Sequence, residues 1–457
     1  MEPAAETLRD FERGHDRRNE DFLSNLPEEI ISLILFFLPF KDVVVMTALS
    51  KNWGNWWKNA KNIELTDFHI YGITDNKMAS FMASVEKILL QLCSDIHTFS
   101  LHCYGEEYPE SCIVSWVKSA IAHKVQNLDI SLRNKQPVHL PFEMMGLNLL
   151  EDLRLDGSCM LQLPSMATFS SLTEIFLMRV GIKNTNLDEN DKMTLFFPVL
   201  KNLNFWGCRW YDANTVRINA PALEHFYMGS NEFAYAPFEF LLAAENLKDF
   251  TCSGVLYNNF VLRCPYTATN VSIVAEFLET LKGIEWKQVI GLRVLTLFEE
   301  ICRQVKFLTL SPGTHKALGY TWFRFPIFPK LVRLEFSYKI DLFDGIFFEL
   351  LQHAPVLEHL IFYAERPTEA NGRAWKREIL PRCFETHLKV VEIKSFLTRD
   401  IDVVSFILLN AMVLQKMDIK FSERWLWDAG VQIEMDVARV LVLALPKASS
   451  GATITVT

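Results

Sequence analysis

The sequence lacks the residue patterns on which most enzyme chemistry depends. It contains no GxSxG nucleophile motif, no P-loop, no GxGxxG dinucleotide motif and no HExxH zinc motif. The 11 histidines are dispersed, and none has a second ligand at metal-binding spacing. The acidic tract at 187–192 lacks the glycine and the final glutamate of a calcium loop. We therefore expect a chain that is not an enzyme and that holds no metal and no cofactor.

Paired cysteines are absent, although the chain has 9 cysteines. They are scattered singly without a CxxC motif, which excludes a disulfide framework or a zinc ribbon and indicates reduced thiols. The N-terminus has no apolar signal segment, and no apolar run approaches the length of about eighteen residues that spans a membrane. These features predict a cytoplasmic location, a nuclear location or both.

The sequence also has fewer positively charged residues than negatively charged ones. The chain has 46 lysines and arginines against 55 aspartates and glutamates, which gives a net charge of −9 without any basic block. This balance argues against nucleic acid or an anionic membrane as the main partner. Half of the residues are hydrophobic, so a chain of 457 residues can bury a large core, either as several domains or as an array of repeats.

The most distinctive stretch of the sequence is 21–65. Within it, residues 30–38 read IISLILFFL, an almost continuous apolar run. Pro27 suits the first turn of a helix and Pro39 cannot continue one, so the spacing predicts a helix of about three turns between the two prolines. A helix that is apolar on all sides must be covered on all sides.

Two further short helices are predicted after Pro39. Asp42 is expected to cap a second helix over 43–49, and Ser50 is expected to cap a third. The third helix places three tryptophans on one face: Trp53, Trp56 and Trp57. Three helices of this size cannot bury so much apolar surface alone. The surplus predicts a docking face for another protein or for the domain that follows.

At these residues the sequence resembles the F-box family. The resemblance rests on Leu26-Pro27, Leu38-Pro39, Asp42, Leu49-Ser50-Lys51, Trp53 and Trp56. It implies binding to a Skp-type adaptor, which joins F-box proteins to a cullin scaffold with a RING subunit and a ubiquitin-conjugating enzyme. The adaptor contacts that it implies are Leu26, Pro27, Ile30, Ile34, Leu38, Leu49 and Trp53. The alternative is a helical segment that only caps the next domain.

The rest of the chain repeats the pattern apolar-x-x-apolar-x-apolar. Copies start at Ile96, Val125, Leu150, Leu172, Leu200, Leu223, Leu247, Val305, Leu331, Leu357, Leu388 and Leu414, with a degenerate copy at Ala268. The mean period of about 26 residues is typical of leucine-rich repeats. One repeat cannot bury its own apolar edge, so neighbouring repeats stack. The predicted fold class is α/β, with a three-helix F-box followed by a leucine-rich-repeat solenoid.

Each repeat should supply one strand to a curved parallel sheet, with helices or loops as return legs on the convex side. Inward positions form a buried column that includes Leu153, Leu155, Leu203, Phe205, Leu360 and Phe362. Helical return legs are predicted at FEFLLAAENL before Leu247 and at GIFFELLQHA before Leu357. The region 255–300 fits the period poorly and is expected to be mostly helical.

The third and fifth positions of each copy should face away from the column, because strand side chains alternate between faces. The substrate-binding candidates at these positions are Arg154, Phe176, Asn204, Tyr227, Phe307, Arg333 and His359. This mixed row offers few converging cations, which favours a protein or peptide epitope over an anionic small ligand. The substrate itself is an unknown protein.

The last part of the sequence is similar to the FBD module of plant F-box proteins. The resemblance rests on Pro381, Cys383, Leu388, the segment DVVSFILLNAMVL with Asn410 and Ala411, and the closing Pro446, Ala448 and Ser449. The domains predicted from the sequence are a disordered N-terminus at 1–20, an F-box at 21–65, a solenoid at 66–380 and FBD-like terminal repeats at 381–457.

The resemblance to F-box/FBD/leucine-rich-repeat proteins implies the substrate-recognition subunit of a Skp–cullin–F-box ubiquitin ligase. Such a subunit would bind the adaptor, and through it the cullin and the RING subunit, and would also bind a target protein. Two alternatives stay open at this point. One is a receptor in which a small molecule completes the substrate site, and the other is an adaptor-independent scaffold.

Overall fold

A computed structural model describes residues 26–46, 51–68, 75–105, 108–140, 149–185, 191–230, 239–254, 259–263, 268–275, 284–321, 324–340, 345–364, 380–396, 401–421 and 429–457. The chain divides into two compact units, Met1–Val138 and His139–Thr457. The segment 1–20, for which the sequence predicts disorder, lies outside the described residues. In the part of the chain that is described, no helix is both long enough and apolar enough to cross a membrane.

The first unit joins short helices to a small parallel sheet. Its elements are α1 (Glu28–Phe37), α2 (Phe40–Met46), a 3-10 helix (Lys51–Asn59), β1 (Asn62–Thr66), α3 (Asp75–Gln91), β2 (Thr98–Cys103), α4 (Glu110–Ala122) and β3 (Asn127–Leu132). The strands pair in parallel in the order β1–β2–β3, with α3 and α4 as crossovers. A further strand, β4 (Val138–Leu140), lies where the two units meet in the sequence.

Proline sets the ends of the first two helices. The Pro27 carbonyl accepts hydrogen bonds from the amides of the first turn of α1, and Leu38 is extended before Pro39. The Pro39 carbonyl accepts from the amides of Asp42 at 2.9 Å and Val43 at 3.1 Å. The second helix therefore begins at Phe40, and the prediction that Asp42 caps it is wrong. Asp42 lies in its first turn, because the backbone after the proline is already helical.

The second unit is a solenoid of parallel strands. Its strands are β5 (Asp152–Gly157), β6 (Cys159–Leu163), β7 (Met166–Thr168), β8 (Glu174–Met178), β9 (Gly181–Asn184), β10 (Lys192–Phe196), β11 (Asn202–Trp206), β12 (Arg209–Tyr211), β13 (Thr215–Asn219), β14 (His225–Ser230), β15 (Glu239–Ala243), β16 (Asp249–Gly254), β17 (Asn259–Arg263), β18 (Asn270–Ala275), β19 (Phe307–Leu310), β20 (Arg333–Ile340), β21 (His359–Ala364), β22 (Val390–Phe396), β23 (Lys416–Phe421) and β24 (Thr453–Val456). Its helices are α5 (Ile284–Ile301), α6 (Pro312–Leu318), α7 (Gly345–Gln352), α8 (Arg382–Thr386), α9 (Ile401–Asn410) and α10 (Ala429–Leu443).

Three parallel sheets run along this unit. In the second unit the long sheet has the order β5–β8–β11–β14–β16–β18–β19–β20–β21–β22–β23–β24. The second sheet has the order β7–β10–β13–β15–β17, and the third sheet contains β6, β9 and β12. Each strand of the long sheet in this unit except β24 belongs to one copy of the repeat, so the predicted stacking of copies is confirmed.

The repeat anchors form the core, as the sequence predicts. The first apolar position of every copy, including the degenerate one at Ala268, is at most 4% exposed. The predicted column residues are buried as well: Leu153, Leu155, Leu203, Phe205, Leu360 and Phe362. Burial alternates along the strands: on β5, Leu153 and Leu155 are buried, whereas Arg154 between them is exposed. The third and fifth positions of a copy therefore face away from the core.

Two predictions about the return legs are wrong. The segment FEFLLAAENL, predicted as a helix, contains β15, because Phe240, Leu242 and Ala244 are buried at a spacing of two residues. Residues 270–275, predicted as part of a mostly helical region, form β18 of the long sheet. The helix of that region, α5, starts only at Ile284 and contacts β17. The predicted helix at GIFFELLQHA is confirmed by α7.

Candidate docking surfaces

The first candidate surface lies on α1. Ile31 and Leu35 are 7% and 2% exposed, whereas Ile30, Leu33 and Phe37 are 44%, 54% and 74% exposed. The exposed residues recur at spacings of three and four, so they share one side of the helix. We call Ile30, Leu33 and Phe37 the apolar stripe. Within the first unit, the helix covers only its other side.

Contacts at the end of α1 hold the stripe outward. The side-chain Nδ2 of Asn62, on β1, donates a hydrogen bond to the Phe36 backbone carbonyl at 2.6 Å. The Phe36 ring also packs against His97, with ring centroids 5.3 Å apart. The Phe37 ring meets the Phe36 ring edge-on, with centroids 5.4 Å apart, and stays exposed. On α2, Val45 adds to the same kind of surface with 57% exposure.

The structure places the predicted adaptor contacts unevenly. Pro27 and Ile30 are exposed, and Leu26, Ile34 and Leu38 are half-buried. Leu49 lies outside the described residues, and Trp53 lies in the 3-10 helix with a side chain that is also outside them. The sequence analysis did not single out Leu33, Phe37 and Val45. The spacing of Leu33 and Phe37 from Ile30 was the signal that could have found the first two.

The second candidate surface is the outward face of the long sheet. Register places its side chains in two neighbouring rows that cross the strands. Arg154, Phe176, Asn204 and Tyr227 are direct neighbours in one row on β5, β8, β11 and β14. Phe307, Arg333 and His359 are direct neighbours in the other row on β19, β20 and β21. The predicted substrate residues therefore form two groups, separated by β16 and β18.

Cations on this face are held by carboxylates of the same face. Arg154 is 3.1 Å from Asp152 and 3.4 Å from Glu174. Further ion pairs join neighbouring rows and strands: Arg179–Asp156, Lys416–Asp418 and Lys420–Glu392. Because most of these side chains are partly exposed, each pair contributes little stability, about 1 kcal/mol or less. The pairs do fix the positions of the charged groups that a partner would meet.

A charged cluster surrounds Glu335 on β20. Arg333 approaches one carboxylate oxygen at 2.9 Å and Lys394 approaches the other at 3.3 Å. Burial raises the pKa of Glu335, but the hydrogen bond from Arg333 and the charge of Lys394 outweigh it and hold the pKa below its ordinary value. The Lys394 ammonium also lies 5.1 Å from the centre of the Tyr363 ring. The cluster is a rigid, already compensated part of the face.

An aromatic cluster lies in the middle of the long sheet. Trp206 stacks on Tyr227 with centroids 5.6 Å apart and planes at 18°. The Tyr227 hydroxyl is 3.1 Å from the Ser253 hydroxyl. Phe176, 38% exposed, lies on the next strand beside Asn204. Tryptophan, tyrosine and phenylalanine are enriched at protein interfaces, so this cluster has the composition of a protein-binding surface.

Gly229 makes the aromatic stack possible. It lies opposite Trp206 in the register of β11 and β14. A Cβ atom at this position would lie 2.6 Å from the Tyr227 hydroxyl and 2.7 Å from the Trp206 ring. Trp206 lies at the seventh position of its copy, one residue beyond the six-residue pattern from which the outward positions were predicted. The alternation of faces continues to this position, so it could have been found.

The described residues offer little reactive chemistry. No group of three or more histidine, cysteine, aspartate or glutamate side chains among them could hold a metal ion. Burial raises the pKa of Cys252 and of Cys383 to about 12, so both thiols are protonated and pack as small hydrophobes. The cysteines of the described part form no disulfide with one another.

The described residues thus combine short helices early in the chain with a solenoid of parallel strands whose repeat is of the leucine-rich type. Residues 23–65 match the family model of the F-box domain, and residues 378–419 match the model named FBD. The resemblance to F-box/FBD/leucine-rich-repeat proteins is confirmed by homologues. The chain carries both domains and is a homologue of Arabidopsis F-box/FBD/LRR-repeat proteins.

Similarity to these relatives extends over nearly the whole chain. One F-box/FBD/LRR-repeat protein of Arabidopsis thaliana is 25% identical and covers 95% of this chain and 94% of its own length. A second, also 25% identical, covers 96% and 97%. An F-box/LRR-repeat protein of the same plant is 25% identical over 82% of this chain and 81% of its own length. The comparison with solved structures found no significant match.

Proposed function

We propose that this chain is the substrate-recognition subunit of a Skp–cullin–F-box ubiquitin ligase. It binds a Skp-type adaptor through the helices of the first unit, and through the adaptor a cullin and a RING subunit. It binds a target protein through the outward face of the long sheet and so promotes ubiquitination of that target. The observation that carries the proposal is the apolar stripe within the F-box match.

Exposure of the apolar stripe to water is energetically unfavourable. Completely covering one such apolar side chain contributes about 2 kcal/mol to binding. Phe37 is 74% exposed, although the same helix buries Leu35 almost completely. A helix with one covered and one uncovered apolar side is suited to groove-type docking against a partner. The half-buried Leu26, Ile34 and Leu38 would then border the contact.

The proposed mechanism is positional. The chain itself is not an enzyme, and no cofactor takes part. Catalysis belongs to the conjugating enzyme, and this chain holds a target lysine close to it. Tethering converts a bimolecular encounter into a local one, which raises the effective concentration of the target. Reduced thiols support a cytoplasmic or nuclear location, which is also part of the proposal.

The proposal is tested by capture of a purified Skp-type adaptor. Wild-type chain should retain the adaptor, and the double variant Leu33→Asp/Phe37→Asp should lose at least about 90% of it, because two charges would enter an apolar contact. Leu90→Asp is the matched control, since Leu90 is an apolar residue on α3 with 86% exposure outside the stripe. Circular dichroism should show equal folding of all three proteins.

Two results would overturn the proposal. The first is a wild-type chain that fails to retain the adaptor. The second is equal retention by the wild type and the double variant. An adaptor-independent scaffold would give the first result while it still binds its own partners.

A further inference from the structure

The second sheet has an exposed outer face that the sequence analysis did not predict. Its buried side chains, such as Phe240 on β15, pack against Phe226 of the long sheet with centroids 5.9 Å apart. The two sheets therefore share one core and turn their outer faces in different directions. The side chains of the outer face alternate with the buried ones. On β10, Lys192 and Phe196 are exposed and Met193 is buried, and on β13 the exposed Arg217 lies between buried neighbours.

Three cations cross this outer face on a diagonal. Lys192 lies at the start of β10, Arg217 in the middle of β13 and Arg263 at the end of β17. We call these three residues the basic diagonal. With strands about 4.8 Å apart and about 3.3 Å per residue, the Cα atoms of Lys192 and Arg217 are about 8 Å apart and those of Arg217 and Arg263 about 12 Å apart. None of the three forms an ion pair with another residue of the described structure. Glu239 is the acidic residue of the same strand face, and it forms no such pair either.

The cations of the long sheet behave differently. Arg154, Arg333 and Lys394 all lie within 3.4 Å of a carboxylate of their own face. Among the described residues, the long sheet thus pairs its cations with its own carboxylates, whereas the cations of the basic diagonal have no such partner. A chain with a net charge of −9 had many carboxylates with which to compensate these three cations.

Apolar side chains accompany the basic diagonal. Met166, which is 78% exposed, shares one row across the strands with Thr194, Arg217, Leu241 and Val261. Phe196, 36% exposed, lies in the next row. Methionine, aromatic residues and arginine are enriched in protein interfaces, and this face carries all three.

We infer that the outer face of the second sheet binds an acidic segment of a partner protein in which carboxylates alternate with apolar residues. Its carboxylates pair with Lys192, Arg217 and Arg263, and its apolar residues cover Met166 and Phe196. A second copy of this chain does not fit, because two-fold pairing of the same face would bring cations against cations. Three dispersed cations with apolar residues between them also favour a protein over a polyanion such as nucleic acid.

This inference goes beyond the proposed function, because it gives the solenoid a second protein-binding face that is independent of the adaptor. The probe is a fluorescent peptide of about 15 residues that repeats Glu-Leu-Gly, which places both side-chain types on every face of an extended chain. Its binding to the full-length chain is measured by fluorescence anisotropy. The matched peptides repeat Glu-Ser-Gly and Lys-Leu-Gly.

We expect the Glu-Leu-Gly peptide to bind more tightly than both matched peptides, and more weakly as salt concentration rises. Arg217→Glu should weaken binding about tenfold, and Arg217→Lys should retain most of it. Arg263→Glu on β17 should also weaken binding, which guards against a local folding defect in the central strand. Lys316→Glu is the control, because Lys316 is an exposed cation on α6 away from this face.

Several results would overturn the inference. They are no peptide binding by the wild type, equal binding by Arg217→Glu and Arg263→Glu, and equal binding of the Glu-Ser-Gly peptide. Preferential binding of single-stranded DNA or of anionic vesicles, or concentration-dependent self-association abolished by Arg217→Glu, would assign the face to another partner and also overturn it. Adaptor capture by the same variants should stay unchanged, so failure here is distinct from failure of the proposed function.

Discussion

Asp67 shows how one residue can organise a loop of the first unit. Its carboxylate is 1% exposed, follows β1 directly and accepts hydrogen bonds from the amides of Tyr104 and Gly105 at 2.7 and 3.0 Å. The Tyr108 hydroxyl donates a third hydrogen bond at 2.8 Å. Burial and the neighbouring carboxylate raise the pKa of Tyr108 well above its ordinary value, so the phenol stays a donor.

Asp67→Ala should therefore destabilise the chain strongly. The substitution leaves two partly buried amides and a buried phenol without their acceptor, which costs about 3 kcal/mol. Asp95→Ala is the control, because Asp95 forms an exposed ion pair with Lys124 at 3.2 Å, and such pairs contribute little. Thermal unfolding should show a large decrease of the melting temperature for Asp67→Ala alone. Equal melting temperatures of the two variants would contradict the assignment.

Glu335 leads to a prediction about pH. Because its pKa in the folded chain is lowered, its ionised form stabilises the fold at pH values above the ordinary value of 4.5. This contribution is lost as the pH falls through the lowered pKa. Glu335→Gln should thus reduce stability by about 1 kcal/mol or less at neutral pH, since Arg333 is 43% exposed. The difference from wild type should vanish in acid.

Thermal unfolding at several pH values measures this difference. Glu385→Gln is the matched control, because Glu385 is an exposed carboxylate on α8. A gap between wild type and Glu335→Gln that persists unchanged at low pH would show that charge is not its cause.

At the scale of elements, α7 and β15 show what the sequence can and cannot predict. In α7, Phe347, Leu350 and Leu351 are buried at helical spacing, and the pattern predicts the helix. In FEFLLAAENL most positions are apolar, so the pattern fits both the helical period of about 3.6 residues and the strand period of two residues. Pairing with β13 and the contact of Phe240 with Phe260 at 5.4 Å select the strand. Such tertiary contacts are not visible in a local pattern.

The candidate surfaces follow the same division. The outward rows of the long sheet could be predicted, because each copy of the repeat alternates faces and starts at a buried anchor. The basic diagonal could not, because its strands were predicted as helices or loops. Ile361 shows a further limit, since it occupies an outward register position and is nevertheless only 4% exposed.

Gly229 leads to a prediction about the aromatic cluster. Gly229→Ala should displace Trp206 from its stack on Tyr227, because the added Cβ atom meets both side chains below 3 Å. Near-ultraviolet circular dichroism should change, and capture of clients from cell extract should decrease, while adaptor capture stays at the wild-type level. Gly345→Ala is the matched control, since a Cβ atom there meets nothing within 4 Å. Client capture unaffected by Gly229→Ala would remove this cluster from the client-binding face.

At the scale of the whole molecule, the chain combines two kinds of surface on separate units. The apolar stripe belongs to Met1–Val138, and the aromatic cluster belongs to His139–Thr457. A positional mechanism requires that one covalent chain carries both, because the rate gain comes from the effective concentration that the tether provides. A mixture of two chains, one with only the adaptor-binding surface and one with only the client-binding surface, should not reproduce this rate gain.

This requirement can be tested by mixing variants in a reconstituted ubiquitination reaction with a client that the wild-type chain captures. Under the proposed function, Leu33→Asp/Phe37→Asp should lack the adaptor contact, and Trp206→Ala/Tyr227→Ala should lack the client contact. We expect each variant alone and the equimolar mixture to fall at least about tenfold below wild type, because no single chain bridges adaptor and client. The control mixes wild type with either variant and should recover activity in proportion to the wild-type chain. Activity of the variant mixture near the wild-type level would show that adaptor and client binding need not be joined in one molecule, and the tether would then not be the source of the rate.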